Sequence, residues 1–227
     1  MKTVALIQGL RFVDSFFPSG GFAFSSGLEA AVKDGAVRDV KSFTRYVEDL
    51  LVHGISRREA AVVAVAHQAE STGTVKTVLT IDRELDALKI GRESRLASRQ
   101  MGKQVARVAA EQLPRGRLLR QFHNAIDERR TPGHFPVSVG LTLAGCGWSR
   151  QETVSAYLYQ TAQGFVSAAM KLLPVGQLES QRLLGRWASL IADLSLEQPR
   201  EGLASWSPVQ DIYAMRHARL ESRLFRS

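Results

Sequence analysis

The chain has 227 residues, of which 44% are hydrophobic and 23% charged, and its formal charge is +8 at pH 7. This composition can bury a substantial core and excludes disorder over most of the length. The single cysteine, Cys146, excludes an internal disulfide or a zinc site built on paired cysteines. The N-terminus lacks the long apolar core of a secretory signal, so we expect one cytoplasmic domain, residues 1–227.

Helical periodicity runs through the first part of the chain. Apolar residues recur every three or four positions, and glycine, proline and small polar residues separate the runs. Asp39 and Ser56 stand at the start of two of these runs as N-caps, and Gly54 lies between the two runs as a break. The predicted helices are Val4–Phe16, a short one after Ser25–Ser26, Asp39–His53, Ser56–Ala69, Val75–Lys89, Gly91–Leu113 and Arg117–Arg130.

The stretch Thr131–Met170 carries only two formal charges, Arg150 and Glu152. Ser149 and Glu152 fit a capping box at the start of a long helix. From Thr153 to Met170 the apolar residues lie on nearly all sides, which predicts a helix enclosed by other helices. A membrane span is the rival interpretation, but neutral polar residues interrupt the apolar run.

After this stretch, periodicity predicts a helix over Gln177–Leu194 and an exposed link over Glu197–Ser205. Ser207-Pro208 is a favourable helix entry, because proline at the first helical position loses no needed donor. No strand alternation is evident. We therefore predict an all-α, single-domain helical bundle of roughly ten helices around a buried central helix. Residues 206–227 form a C-terminal helix and tail.

Basic residues are concentrated on one predicted helix, where they recur at steps of three or four and so form one face. They are Arg92, Arg95, Arg99, Lys103 and Arg107. Such a face is either a solvated helix surface or a docking stripe for an acidic partner or phosphates.

Motifs for catalysis or nucleotide binding are missing from the sequence. Gly102-Lys103 lacks the rest of a phosphate-binding loop, and Ser138 has Pro136 at the first position of a nucleophile elbow and no strand before it. Cys146 has no charged sequence neighbour to lower its pKa, which indicates a buried, inert thiol. His123 and Asp127 form the one helical pair that could face a metal, and we predict no metal site from it. A binding or scaffold role follows.

A series of segments resembles the F-type urease accessory protein (UreF) family in order and spacing. The similarity covers nearly the whole chain, although Phe24 stands where the family often has histidine. The matching segments are Asp14–Glu29, Glu93-Ser-Arg with Ser98 and Met101-Gly102, His134–Val137, Ala156–Tyr159, Leu173–Gln177 and Arg223–Ser227.

The resemblance implies an all-α homodimer that is not an enzyme. It would act with the D/H-type urease accessory protein and the nickel-binding GTPase to load nickel into apo-urease. This chain would bridge the partners and regulate GTPase-coupled nickel insertion. It would hold no tightly bound cofactor, because the complex handles nickel and the partner binds GTP.

The resemblance also assigns partner docking to the C-terminal helix and tail, which we expect to order on binding. The implied contact residues are Asp211, His217, Arg223, Leu224, Phe225, Arg226 and Ser227, with Glu29 either a contact or a first-turn charge. Gly20, Gly21 and Gly27 are interpreted as backbone-permissive loop positions. Two alternatives remain: a basic all-α nucleic-acid-binding protein that uses the basic stripe, and a small hydrolase that uses Cys146.

Overall fold

The computed structural model describes residues 3–113, 116–197, 203 and 207–226. As the sequence predicts, the fold is all-α, and these residues contain no strand. The helices are α1 (Thr3–Val13), α2 (Leu28–Lys33), α3 (Val40–Asp49), α4 (Ala61–Thr72), α5 (Val75–Leu88), α6 (Arg92–Gln112), α7 (Arg117–Asp127), α8 (Phe135–Gly145), α9 (Arg150–Leu172), α10 (Gln177–Leu196) and α11 (Pro208–His217), with a 3₁₀ turn at Gly21–Ala23 and a π-helical segment at Leu50–Ala60.

The π-helical segment joins α3 and α4 into one continuous helix, so the predicted break at Gly54 and the predicted cap at Ser56 are wrong. Ser56 lies inside the segment, where its hydroxyl donates to the carbonyl of Val52 at 2.8 Å. A side chain at position 54 would bring its Cβ within 2.1 Å of the Ser207 hydroxyl. Gly54 therefore serves the close approach of the C-terminal segment rather than a helix end.

The most enclosed helix is α8. Every residue from Phe135 to Leu143 is buried, and the helix packs chiefly against α4 and α6. This corrects the prediction that α9 is the enclosed helix, because Tyr159 and Met170 of α9 are 40% and 42% exposed. Because the polar residues of α9 carry no charge, its sequence resembles that of an enclosed helix. In the structure, several of these residues line a cavity open to solvent.

The start of α9 agrees with its predicted cap. The Ser149 hydroxyl accepts from the Glu152 amide at 3.2 Å, and the Glu152 carboxylate accepts from the Ser149 amide at 2.7 Å. This reciprocal pair satisfies backbone donors that a helix start leaves free. It fixes the point at which the chain turns from α8 into α9.

A buried carboxylate organises the entrance to α8. Asp82 of α5 is fully buried and accepts from the Thr131 hydroxyl and from the amides of Gly133 and His134, all at 2.7–2.8 Å. Three donors compensate for the removal of this charge from water. The loop before α8 is thereby tied to α5.

No helix in the described ranges is long and apolar enough to cross a membrane. The predicted link Glu197–Ser205 lies mostly outside the described residues, so its exposure stays a prediction. The predicted contact Ser227 also lies outside them.

Gly102 of α6 tests the close packing of α6 against the α8 entrance. An alanine Cβ there would lie 2.2 Å from the Gly133 carbonyl oxygen, a backbone atom that cannot swing away. We expect Gly102→Ala to lower the free energy of unfolding by at least about 2 kcal/mol. Urea denaturation measures the change.

Gly185→Ala on α10 is the matched control, because no atom lies within 4 Å of its Cβ position. Removing a helical glycine should leave stability unchanged or raise it by up to about 1 kcal/mol. Equal effects of the two substitutions would contradict the packing described for Gly102.

Candidate partner-docking site at the C-terminal tail

The C-terminal tail returns to α2, where it meets the carboxylate of Glu29. This side chain is fully buried. Its two oxygens accept from the amides of Leu224 at 2.8 Å and Phe225 at 3.2 Å. Burial opposes ionisation, but these amides and the His217 ring outweigh it and lower the pKa of Glu29. The tail is therefore anchored on a buried negative charge.

His217, the last residue of α11, lies between two carboxylates. Its Nε2 is 2.9 Å from Glu29 and its Nδ1 is 3.0 Å from Glu93 of α6. A carboxylate can only accept, so both contacts are hydrogen bonds when both ring nitrogens carry hydrogens. Arg223 adds a bond to Glu93 at 2.9 Å. This polar network joins α2, α6, α11 and the tail.

Phe225 packs into the chain's own core and is 6% exposed. The ammonium of Lys171 lies 5.2 Å from the centre of its ring. The Arg226 amide donates to the Ala23 carbonyl at 2.8 Å, which ties the tail to the 3₁₀ turn. Leu224 points the other way and is 73% exposed. Leu224 is therefore the apolar side chain of the tail that remains in solvent, and Arg226 beside Phe225 is exposed as well.

The outer side of α11 is apolar. Val209, Ile212 and Met215 are 55%, 44% and 45% exposed and recur every three residues, which places them on one side of the helix. Asp211 points inward, with its carboxylate 3.9 Å from the Arg58 guanidinium, and burial raises its pKa. The exposed apolar residues of α11 and Leu224 form what we call the tail surface.

Glycine is required where α11 crosses α2. Gly27 has φ of 88°, and a Cβ there would lie 3.0 Å from the Ala214 amide nitrogen. Gly20 has φ of 81° in the loop before the 3₁₀ turn. Gly21 begins that turn and does not have a positive φ.

A cavity of about 590 Å³ lies between the 14–26 loop, α9, α10 and α11. The charged residues among its lining include Arg58, Glu59, Lys89 and Asp211. Lys89 Nζ lies 2.6 Å from Glu59 and Arg58 Nε lies 3.3 Å from it. Burial opposes ionisation of Glu59, but Arg58 and Lys89 outweigh it and lower its pKa to about 2. The sequence analysis does not predict this cluster. Its signal is the set of three consecutive charged residues that ends at Glu59, inside an otherwise apolar run.

The other candidate histidines and the cysteine are buried or contact neighbouring side chains of the fold. Burial lowers the pKa of His134, whose ring nitrogens lie 3.0 Å from the Ser98 hydroxyl and 2.9 Å from Asp86. Burial raises the pKa of Cys146 to about 11, which suppresses its thiolate. His123 contacts Asp127 at 3.2 Å. Within the described ranges no group of three or more potential ligands could hold a metal ion.

The basic stripe predicted from sequence lies on α6. Arg92, Lys103 and Arg107 are exposed, whereas Arg95 and Arg99 are half-buried. Its first turn adjoins the tail network, since Glu93 belongs to the same helix.

Glu29→Gln tests the anchoring of the tail. It keeps the size of the side chain but removes the charge and one acceptor, so the amides of Leu224 and Phe225 should exchange with solvent at least tenfold faster. Hydrogen exchange followed by mass spectrometry or NMR measures this. Glu152→Gln, at the cap of α9, should leave these two amides unchanged. Unaltered exchange in Glu29→Gln would contradict the anchoring.

Glu59→Gln tests the charge cluster through pH. The folded pKa lies below the ordinary value of 4.5, so the charge of Glu59 stabilises the fold above that pH. This contribution is lost as pH falls toward about 2. The stability difference between wild type and Glu59→Gln should be largest near neutrality and shrink in acid, as measured by urea denaturation. A pH-independent difference, or an equal one for the surface variant Glu179→Gln, would contradict the assignment.

Comparisons of the sequence with known proteins identify a family. The UreF family model matches residues 37–188. A urease accessory protein UreF of Actinobacillus pleuropneumoniae serotype 5b (strain L20) is 32% identical over 223 residues, covering 96% of this chain and 97% of the relative. The UreF of Haemophilus influenzae (strain ATCC 51907 / DSM 11121 / KW20 / Rd) is 31% identical over 221 residues, covering 96% and 94%, and that of Bacillus sp. (strain TB-90) is 28% identical over 225 residues, covering 98% and 99%. The chain therefore belongs to the UreF family of urease accessory proteins.

Proposed function

We propose that this protein is a non-catalytic scaffold of urease maturation in the cytoplasm. It bridges the D/H-type accessory protein and the nickel-binding GTPase, and it regulates GTPase-coupled nickel insertion into apo-urease. Membership of the UreF family supports the pathway. The nickel is cargo of the complex, and the GTP site belongs to the GTPase.

The observation that carries the bridging role is the tail surface. Leu224 is 73% exposed while its neighbour Phe225 is 6% exposed. Phe225 thus fixes the tail to the core, while the side chain of Leu224 stays in solvent, and α11 adds three further exposed apolar side chains. Large exposed apolar side chains of this kind mark a candidate protein interface.

The anchoring of the tail preorganises this surface for binding. Residues 207–226 already have hydrogen-bond partners on α2 and α6, through Glu29 and Glu93. Ordering a segment at the moment of binding consumes part of the contact energy, and a segment that is already held avoids much of that cost.

The homodimer is part of the same proposal, and the exposed side of α9 suits it. This helix carries no charged residue between Glu152 and Lys171, and Tyr159 and Met170 on that side are 40% and 42% exposed. Depletion of charge is characteristic of the core of a homodimer interface.

Leu224→Asp tests the tail surface. Because Leu224 is mostly exposed, the chain should fold normally, but a charge placed at the centre of an apolar contact should be costly to bury. We expect co-expression with the D/H-type protein and the GTPase to yield no stable complex on size exclusion, or at least a hundredfold weaker affinity.

Leu178→Asp on α10 is the matched control, since Leu178 is 66% exposed and lies outside the tail surface. It should retain the complex and urease activation. Normal assembly with Leu224→Asp, in a chain of unchanged helicity and stability, would overturn the proposed role of the tail.

A further inference from the structure

One exposed side of α6 concentrates positive charge. The side chains of Arg92, Arg95, Lys103 and Arg107 recur at steps that keep them within a sector of about 120°, since each helical residue turns about 100°. At about 1.5 Å per residue, these fifteen steps extend over about 22 Å. We call these four residues and the Leu96 between them the basic strip; unlike the basic stripe predicted from sequence, it leaves out Arg99.

The cations of the strip have no carboxylate partner among the residues that the structure describes. Arg99, on the same helix, is neutralised by Asp86 at 2.8 Å. Of the acids near the strip, Glu93 is engaged with the tail, Asp127 with His123 and Glu128 with Arg130, whereas Glu111, one turn beyond Arg107, forms no salt bridge within the described residues. Across the part of the chain that the structure describes, no salt bridge reaches any of the four cations of the strip.

The far end of the strip opens onto a cleft of about 330 Å³. Its donors come mainly from α6, and the wall opposite is formed by α7 and the loop before the 3₁₀ turn. The polar and charged lining comprises Ser19, Gln100, Lys103, Gln104, Arg107, His123 and Asp127. A carboxylate entering beside Lys103 and Arg107 would meet two cations and side-chain amides at once.

An apolar residue lies in the middle of the strip. Leu96 is 50% exposed and sits about 40° around the helix from Arg92. Arginine is enriched at protein interfaces, and Leu96 adds exposed apolar surface next to two of the arginines. Aromatic side chains for stacking on bases are absent from α6, which disfavours single-stranded nucleic acid.

We infer that the basic strip is a second docking surface, separate from the tail surface, and that it binds an acidic segment of a partner protein. The segment supplies carboxylates to Arg92, Arg95, Lys103 and Arg107 and an apolar side chain to Leu96. Its length is about that of the strip, and one carboxylate enters the cleft at Lys103 and Arg107. Because the first turn of α6 adjoins the tail network, one partner can cover both surfaces.

The test uses the full chain and three fluorescent probes: the peptide (Glu-Glu-Leu)₅, the peptide Glu₁₅ and a fifteen-base-pair DNA duplex. Fluorescence anisotropy gives their dissociation constants at low and near-physiological salt. The strip variant combines Arg92→Gln, Arg95→Gln, Lys103→Gln and Arg107→Gln. The matched control removes the same charge from exposed sites elsewhere, with Lys41→Gln, Arg45→Gln, Arg57→Gln and Arg186→Gln.

We expect (Glu-Glu-Leu)₅ to bind wild type more tightly than Glu₁₅, and Leu96→Gln to remove that preference. The strip variant should weaken binding of (Glu-Glu-Leu)₅ at least tenfold, and the control at most threefold. Leu224→Asp should leave peptide binding unchanged, so failure of the strip and failure of the tail surface are separable.

Two results would overturn the inference. Equal losses in the strip and control variants would show that only net charge matters. Duplex DNA bound at least tenfold more tightly than (Glu-Glu-Leu)₅, with the loss confined to the strip variant, would assign the strip to nucleic acid. All the substituted cations are exposed or half-buried, so matching circular dichroism and denaturation curves provide the folding control.

Discussion

The position of the C-terminal tail, and with it the proposed tail surface, depends on the carboxylate of Glu29. It is a fully buried charge on a two-turn helix, and the tail amides and His217 are its compensation. A protein is destabilised by about 3–5 kcal/mol when a buried carboxylate loses its partner. The chain therefore holds its own tail in order to satisfy Glu29. The amides of Leu224 and Phe225 both point at this carboxylate, while the side chain of Phe225 enters the core and that of Leu224 is left in solvent.

Helix α6 connects this constraint to the rest of the molecule. Near its start Glu93 receives His217 and Arg223, and farther along Ser98 and Arg99 join the network that holds the entrance to α8. The side facing inward packs on the most buried helix, and the side facing outward carries the basic strip. A scaffold must keep several docking surfaces at fixed separations. Here one 21-residue helix sets that separation for the tail network and the strip.

Local chemistry made much of the fold predictable. The Ser149–Glu152 capping box and the proline at the start of α11 involve neighbours in sequence, so their signals were present in the chain itself. Gly54 misled because a glycine inside an apolar run signals a break, whereas here it admits Ser207, 153 residues away in sequence. Periodicity predicts α9 as the enclosed helix, whereas α8 is the enclosed one, because burial depends on which helices pack alongside and periodicity does not record that.

The residues of the candidate site come from the resemblance rather than from a sequence pattern, and their role in docking stays a prediction. Glu29 and His217 were each named as docking residues, but nothing in sequence indicated that they contact each other across 188 positions. The buried pair Arg58–Glu59 is not predicted, because it lies in a run of core residues. Long-range pairing of charges is a property of the folded arrangement, and it was the main gap in the prediction.

The most direct test of the account is a double-mutant cycle on Glu29 and His217. Urea denaturation of wild type, Glu29→Gln, His217→Gln and the double variant gives the coupling free energy between the two side chains. The account predicts a coupling of about 1.5 kcal/mol or more, as expected for a buried charged hydrogen bond. A coupling below about 0.5 kcal/mol would contradict it, because the tail would then be held by something other than the Glu29 network.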